Sequence, residues 1–227
     1  PTIAQHRNAY QEIAHAPLFA PVTRYAASVA DVQQLPYLLP QAFREAIAET
    51  PRPVYLEVAG LMGEFIERAE APMKVTVERR NTCCPAHRLA PEPDLIEEAC
   101  ARIAAAARPV IVAGRGARVS SAGAELMSLA EKHAIPVAYS LDGKSLLPDT
   151  HPACVGAVGS YSAKSANRVV AEADLVVFVG CDTGDQATFD WQVPSPGTAV
   201  IQIDADSVEL GRNYPSALPV LGDPKLA

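Results

Sequence analysis

The sequence predicts an α/β protein built on a doubly wound parallel sheet. Residues 175–179 and 199–203 form two almost unbroken apolar runs, and each is followed by a turn that bears aspartates. Such runs are typical of strands covered on both faces, as in parallel sheets between helices. From residue 94 onward, helical and strand patterns alternate, which predicts right-handed crossovers and hence a doubly wound domain.

Composition excludes several classes of protein. Of the 227 residues, 49% are hydrophobic and 20% are charged, which is enough apolar material for a sizeable core. A formal net charge of -7 argues against binding to nucleic acid or to an anionic membrane, because both need clustered Lys and Arg. The apolar stretches are shorter than the ~20 residues of a bilayer span. Five cysteines without a secretory signal predict reduced thiols and a cytoplasmic location.

The first part of the chain predicts a piece of a second α/β domain. Apolar residues recur at helical spacing over residues 35–47, and the pattern ends before Pro51 and Pro53, as helices do near proline. Residues 54–58 then have the pattern of a strand. We assign residues 1–70 to this domain.

A connection between domains is predicted next. Over residues 71–93 periodicity is lost, and prolines, arginines and the adjacent Cys83 and Cys84 accumulate, as in a segment that crosses a surface. The doubly wound domain is then expected over residues 94–227. Because the sequence opens at Pro1, without an initiator Met, we expect it to be a fragment of a longer polypeptide.

Within the doubly wound domain the elements follow in regular order, with each strand separated from the next by a helix or a turn. No internal repeat interrupts this order. The expected elements are a helix over 95–104, a strand over 109–113, a helix from about 121 to 133, a strand over 136–140, a helix from about 161 to 173, strands at 174–180 and 199–203, and an edge strand over 218–221.

Glycine turns and aspartates are the residues most suited to binding a ligand. Gly114 and Gly116 follow a predicted strand, where glycines let backbone amides approach a diphosphate at the start of a helix. The third glycine of the dinucleotide fingerprint is missing, and a simple reversing turn explains the pair equally well. Gly159 lies in a second such turn. Four aspartates suit either ribose hydroxyls or helix caps: Asp182, Asp185, Asp204 and Asp206.

Other chemistry is not indicated. The histidines and cysteines lack the spacing of metal ligands, and no nucleophile motif appears. We therefore predict no metal site in this chain. The residues by themselves predict a nucleotide-sized site on a doubly wound domain and no more.

Six sequence blocks resemble, in order, the central domain of thiamine-diphosphate enzymes, and acetolactate synthase (acetohydroxyacid synthase) in particular. The residues before position 70 are similar to the end of the pyrimidine-binding domain of that family. The blocks are RPVIVAGRGAR from 108, IPVAYSLDG from 135, HPACVGAVGS from 151, ADLVVFVGCDTGDQ from 173, VIQIDADSVELGRN from 200 and LGDPK from 221.

The resemblance implies an enzyme that acts on a 2-oxo acid such as pyruvate, with thiamine diphosphate and Mg²⁺, as a homodimer or tetramer. It places Tyr10 and Gln11 at the substrate channel. In the family the catalytic glutamate lies further upstream, and a separate domain with a Gly-Asp-Gly motif holds the diphosphate and Mg²⁺. Neither is present in this sequence. Because the cofactor supplies the carbanion chemistry, we expect no catalytic residue in this segment and no activity from it alone.

The resemblance also implies that FAD, or another ADP-containing nucleotide, binds the central domain. The family's Arg-Phe-Asp-Asp-Arg turn is replaced by residues 182–186, which lack both arginines. Two alternatives therefore remain, a non-catalytic nucleotide-binding module like those of electron-transfer flavoproteins or sirtuins, and a ligand-free spacer. The residues placed along the ligand are Gly114, Gly116, Leu141, Gly143, Gly159, Gly180, Asp185, Asp204, Asp206 and Asp223.

Overall fold

A computed structural model describes residues 6–8, 12–58, 82–162 and 164–227. The chain divides into two compact units, Pro1–His87 (unit 1) and Arg88–Ala227 (unit 2). The division falls inside the segment that we expected to be a linker.

Unit 1 contains a small parallel sheet. Strand β1 (Tyr25–Val29) pairs in parallel with β2 (Val54–Val58). Helix α1 (His15–Phe19) precedes the sheet, and α2 (Leu35–Ile47) connects its strands. The helix and the strand expected over residues 35–47 and 54–58 are therefore confirmed, whereas β1 was not expected.

Unit 2 contains a parallel sheet of six strands. A short 3-10 helix, Leu141–Gly143, follows the second of them. The helices and strands are α3 (Pro93–Ala105), β3 (Pro109–Ala113), α4 (Arg115–Ser120), α5 (Gly123–His133), β4 (Val137–Tyr139), β5 (Cys154–Ala157), α6 (Lys164–Ala171), β6 (Leu175–Val179), α7 (Asp185–Thr188), β7 (Ala199–Asp204) and β8 (Leu218–Leu221).

The strand order of this sheet is β5-β4-β3-β6-β7-β8, with every neighbouring pair parallel. From β3 the chain adds strands outward on one side, and from β6 it adds them on the other. The order is that of a dinucleotide-binding doubly wound fold, in which ligands bind beyond the carboxyl ends of the strands where the direction of winding reverses. This switch point lies between β3 and β6.

The central strands are covered on both faces. All five residues of β6 are buried. Val176 and Phe178 pack in a cluster with Ala166 and Val170 of α6, while Val177 faces a second cluster that includes residues of α3, α4 and α5. Burying each such side chain stabilises the fold by about 1.5–3 kcal/mol. Helices on both faces of a parallel sheet confirm the predicted fold class.

The helix predicted from about residue 161 to 173 corresponds to α6, which runs from Lys164 to Ala171, and the short helix α7 was not predicted. The helix predicted from about residue 121 to 133 corresponds to α5, whereas α4, which precedes it as a separate helix, was not predicted. Ser121 ends α4 in the left-handed conformation, with φ 59°, and a helix cannot continue through it. None of the helices in the described residues is long and apolar enough to cross a bilayer.

Candidate functional site

Glycines bring the ends of β3 and β6 into close backbone contact at the switch point. The Gly114 N–H donates to the Val179 carbonyl at 2.9 Å, and the Gly116 N–H donates to the Gly180 carbonyl at 2.7 Å. A Cβ atom on Gly114 would lie 2.3 Å from the Gly180 oxygen, and one on Gly180 would lie 2.3 Å from the Ala117 nitrogen. Only glycine fits at these two positions, since packed interiors leave no room to move backbone atoms apart.

Two more of the predicted glycines lie at the same edge of the sheet. A Cβ atom on Gly143 would lie 2.3 Å from the Ala113 carbonyl oxygen. Gly159 has φ +105°, and its Cβ atom would lie 1.9 Å from the Gln186 oxygen. The Ser160 N–H donates to that oxygen at 2.8 Å, which joins the turn after β5 to α7. The structure thus places the predicted glycines in neighbouring loops at the carboxyl edge.

The amides of these turns do not form an open cradle for phosphate. Because the N–H groups of Gly114 and Gly116 donate within the protein, a phosphate oxygen would have to displace a hydrogen bond worth about 1 kcal/mol at each. The first role of this glycine pair is therefore to let β3, α4 and β6 pack closely.

Aspartates converge at the end of β7. The Asp204 carboxylate accepts the Asp206 N–H at 2.9 Å, and the Asp206 carboxylate accepts the Val208 N–H at 3.0 Å. Burial raises the pKa of Asp204 to about 6, although the hydrogen bond from the Asp206 amide opposes the shift. The negative charges of Asp182, Asp206 and Glu209 contribute to the same rise in pKa.

This environment suits a hydroxyl group better than another anion. A ribose hydroxyl donates a hydrogen bond to a carboxylate without adding charge, and so offsets the desolvation that raises the pKa of Asp204. A phosphate placed there would add repulsion to a group of carboxylates. The carboxylate acceptors at the end of β7 therefore suit a neutral group that bears hydroxyls.

Buried polar residues that the sequence patterns did not indicate hold the loops over this edge. Thr183 is 1% exposed, and its carbonyl oxygen accepts Asn213 Nδ2 at 2.9 Å and Trp191 Nε1 at 3.1 Å. Gln202 accepts the Gly211 N–H at 2.7 Å. A glutamine within the apolar run of β7 was the available signal, because a buried polar group needs partners.

The other two predicted residues of this edge are exposed. Asp185 is the first residue of α7, and Leu141, which is 56% exposed, begins the 3-10 helix after β4. Both stand in loops that follow the carboxyl ends of strands. Their contact with a cofactor stays a prediction.

Asp223 has partners within the protein. The Asp223 side chain is 5% exposed. Its carboxylate oxygens Oδ1 and Oδ2 lie 2.7 and 2.9 Å from Arg88 Nη1. The Ser120 hydroxyl donates to it at 2.6 Å, and the Lys225 N–H donates to it at 3.0 Å. These contacts satisfy both carboxylate oxygens, and a direct contact of Asp223 with a cofactor also stays a prediction.

Other chemistry in the described part of the chain is limited. Burial raises the pKa of the Cys181 thiol to about 12, so this side chain is a poor nucleophile at neutral pH. In the ranges that the structure describes, no three His, Cys, Asp or Glu side chains are grouped so as to hold a metal ion. Tyr10 and Gln11, the predicted substrate-channel residues, lie outside the described residues.

Comparison with known proteins identifies relatives over nearly the whole chain. A protein of Methanocaldococcus jannaschii named "Probable acetolactate synthase large subunit" is 35% identical over 99% of this chain and 38% of its own length. A "Probable 2-ketoarginine decarboxylase" of Pseudomonas aeruginosa is 33% identical over 90% of this chain and 34% of its own length. The oxalyl-CoA decarboxylase of Escherichia coli is 30% identical over 94% of this chain and 36% of its own length.

The chain therefore spans little more than a third of the length of these relatives. Residues 96–227, which form most of unit 2, match the family model described as "Thiamine pyrophosphate enzyme, central domain". Together with the six-stranded parallel sheet, this match shows that the chain belongs to the thiamine pyrophosphate enzyme family and contains its central domain.

Proposed function

We propose that this chain is part of a thiamine-diphosphate-dependent enzyme that carboligates or decarboxylates a 2-oxo acid such as pyruvate. The observation that carries the proposal is the family match over residues 96–227, extended across the chain by relatives that include a synthase and two decarboxylases. When bound, thiamine diphosphate supplies the stabilised carbanion, and the protein binds and orients the reactants.

The proposal divides the work between this segment and the rest of the enzyme. Tyr10 and Gln11 contribute to the substrate channel, while thiamine diphosphate and Mg²⁺ are held outside this segment. The enzyme works in the cytoplasm as a homodimer or tetramer. A glutamate codon upstream and a Gly-Asp-Gly motif downstream in the parental reading frame are expected, and a frame that encodes neither contradicts the proposal.

The segment itself is expected to be catalytically inactive. Purified chain, supplied with thiamine diphosphate and Mg²⁺, should consume pyruvate no faster than a control without protein. The physical reason is that the groups expected to activate the cofactor are not in this sequence. Turnover above the control would show that a complete catalytic site exists within these residues.

We also propose that unit 2 binds FAD or another ADP-containing nucleotide at the carboxyl edge of its sheet. The switch point between β3 and β6 supports this, since doubly wound sheets bind dinucleotides there. In this proposal the carboxylates of Asp204 and Asp206 accept the ribose hydroxyls. The loops that line the ligand contain Gly114, Gly116, Leu141, Gly143, Gly159, Gly180 and Asp185, and Asp223 lies beyond them after β8.

Spectra and thermal shifts test this second proposal. Bound FAD gives a yellow protein that releases flavin on denaturation, and FAD, ADP or coenzyme A should raise the melting temperature of a colourless preparation. Asp204→Asn should weaken nucleotide binding, because an amide accepts hydroxyl hydrogen bonds less strongly than a carboxylate. The matched control is Glu131→Gln, which neutralises a carboxylate in the last turn of α5, away from the carboxyl edge of the sheet. Colourless protein without any shift would favour the ligand-free spacer.

A further inference from the structure

Three separate parts of unit 2 converge on the Asp223 carboxylate. Arg88 Nη1 lies 2.7 Å from one carboxylate oxygen and 2.9 Å from the other. The Ser120 hydroxyl donates to the carboxylate at 2.6 Å and accepts from Arg88 at 2.7 Å. The Lys225 N–H lies 3.0 Å from both Ser120 Oγ and Asp223 Oδ1. We call these four residues the Asp223 anchor.

Backbone contacts join the same segments. The Asp223 N–H donates to the Leu89 carbonyl at 2.8 Å. A Cβ atom on Gly222 would lie 2.8 Å from Pro91 Cβ, so the chain after β8 runs directly against residues 88–91. The point where the chain enters unit 2 and the point where it leaves the last strand are therefore fixed to each other.

The anchor is also hydrogen bonded to α4, the helix that begins at the switch point. Ser120 is the last residue of α4, and α4 starts at Arg115, between Gly114 and Gly116. Six residues of α-helix span about 9 Å. One end of α4 therefore lies at the proposed nucleotide site, and the other end is hydrogen bonded to Asp223 and Arg88.

We propose that Arg88 and Asp223 are positioning residues, which fix residues 88–91 against the chain after β8 and hold α4 in place for nucleotide binding. The pair is shielded, with the Asp223 side chain 5% exposed and that of Arg88 31% exposed. Removing Arg88 leaves a buried carboxylate without its counter-charge, which is far more costly than losing an exposed ion pair. The part that concerns nucleotide binding rests on the proposed function of unit 2.

Hydrogen exchange of the intact chain tests the anchor without any ligand. In Arg88→Met, the amides of Asp223 and Lys225 should exchange about tenfold faster or more, because breaking a shielded ion pair favours local opening. Arg88 contacts Asp223 through a single nitrogen, Nη1, so Arg88→Lys, which retains a positive charge, should stay within about threefold of wild type. The matched control is Arg102→Met, which breaks the exposed pair between Arg102 and Glu98 and should leave these amides unchanged.

Two outcomes of the hydrogen-exchange experiment decide whether the Asp223 anchor exists. Unchanged exchange at Asp223 and Lys225 in Arg88→Met overturns the anchor. If that variant exchanges fast throughout β3 and β6 as well, Ser120→Ala decides instead, because it removes a hydroxyl without stranding a charge. In Ser120→Ala the Lys225 amide should exchange several-fold faster while the strands stay protected, and an unaltered Lys225 amide overturns the anchor.

Nucleotide titration tests the link through α4. We expect Arg88→Met to raise the dissociation constant for FAD or ADP about three- to tenfold, with Arg88→Lys close to wild type. Faster exchange with an unchanged dissociation constant overturns the positioning role and leaves the anchor standing. Wild-type chain that binds neither nucleotide refutes the proposed function, and the exchange result still decides the anchor.

Discussion

The two ends of the parallel sheet in unit 2 place aspartate in opposite environments. At the amino end, Asp174 accepts the N–H groups of Arg108 at 2.8 Å and Ala107 at 2.7 Å, and these hydrogen bonds lower its pKa. At the carboxyl end, burial raises the pKa of Asp204 to about 6. One carboxylate is stabilised by the fold, whereas the other is destabilised by it.

The cavity and the raised pKa of Asp204 lie at opposite ends of the sheet. A cavity of about 680 Å³ opens at the amino end, beside the starts of β3 and β4. Its lining includes the apolar side chains of Ile103, Leu129 and Val169. A carboxylate whose pKa is raised by burial is a better marker of a binding site than volume is, and Asp204 is at the carboxyl end, whereas hydrogen bonds lower the pKa of Asp174 at the amino end. The contrast teaches that the electrostatically unfavourable carboxylate of unit 2 lies at the carboxyl edge, where the proposed nucleotide would bind.

The largest expected effect is at the switch point, where close packing leaves no space for a side chain. Gly114→Ala places a Cβ atom 2.3 Å from the Gly180 oxygen and should lower the free energy of unfolding of unit 2 by about 3 kcal/mol or more. Urea denaturation measures this change.

Gly184→Ala is the matched control for the switch-point substitution. Gly184 has φ -73°, and a Cβ atom there meets nothing within 4 Å. Its stability should stay within about 0.5 kcal/mol of wild type. Equal effects of Gly114→Ala and Gly184→Ala would show that the two strand ends are not packed as described.

The next effect concerns Asp204 and has a definite sign. Its folded pKa of about 6 exceeds the ordinary value of 3.8, so the folded state binds more protons between these values. The contribution of Asp204 is therefore fully present below about pH 4 and is lost as the pH rises through about 6, by up to ~3 kcal/mol. Asp204→Asn should remove this dependence. Urea denaturation of both proteins across this range tests it, and parallel stability curves contradict a raised pKa.

Much of this sheet could be predicted from local sequence. The strands β3 and β8 have the expected bounds, and β6 and β7 match within a residue at each end. Each is a short apolar run between polar turns, and burial on two faces imposes that pattern directly. Gly114, Gly116 and Gly159 were expected in turns after strands from local sequence, whereas Gly143 and Gly180 were placed at this edge only by the family resemblance.

The elements and contacts that were missed depend on three-dimensional pairing. Residues Cys154–Ala157 resemble a turn, because Gly156 breaks the apolar run, yet they pair with β4 across a register shift. The hydrogen bond from Gly116 to Gly180 and the ion pair between Arg88 and Asp223 join residues that are far apart in sequence. Local patterns carry no information on such partners.

A smaller effect is expected at Tyr214, which stacks on Phe178 of β6 with ring centroids 5.4 Å apart. The Tyr214 hydroxyl is buried and has no hydrogen-bond partner among the residues that the structure describes. Burial raises the pKa of this hydroxyl to about 12. Tyr214→Phe should therefore stabilise unit 2 by about 1 kcal/mol in thermal or urea unfolding, because the desolvated hydroxyl is removed. A loss of stability would mean that the hydroxyl has a favourable partner in solution.

The smallest expected effect is at Asp174 and has the opposite pH dependence to that of Asp204. Its lowered pKa means that its contribution is present above the unfolded value of 3.8 and is lost as the pH falls through the folded value. Asp174→Asn should therefore be less stable than wild type at neutral pH, and the difference should shrink in acid. Because the side chain is exposed, salt should weaken the effect. For each variant, the measured quantity is the difference in free energy of unfolding from wild type as a function of pH. If this difference changes in the same direction for Asp174→Asn and Asp204→Asn as the pH falls, the distinction between the two ends of the sheet is lost.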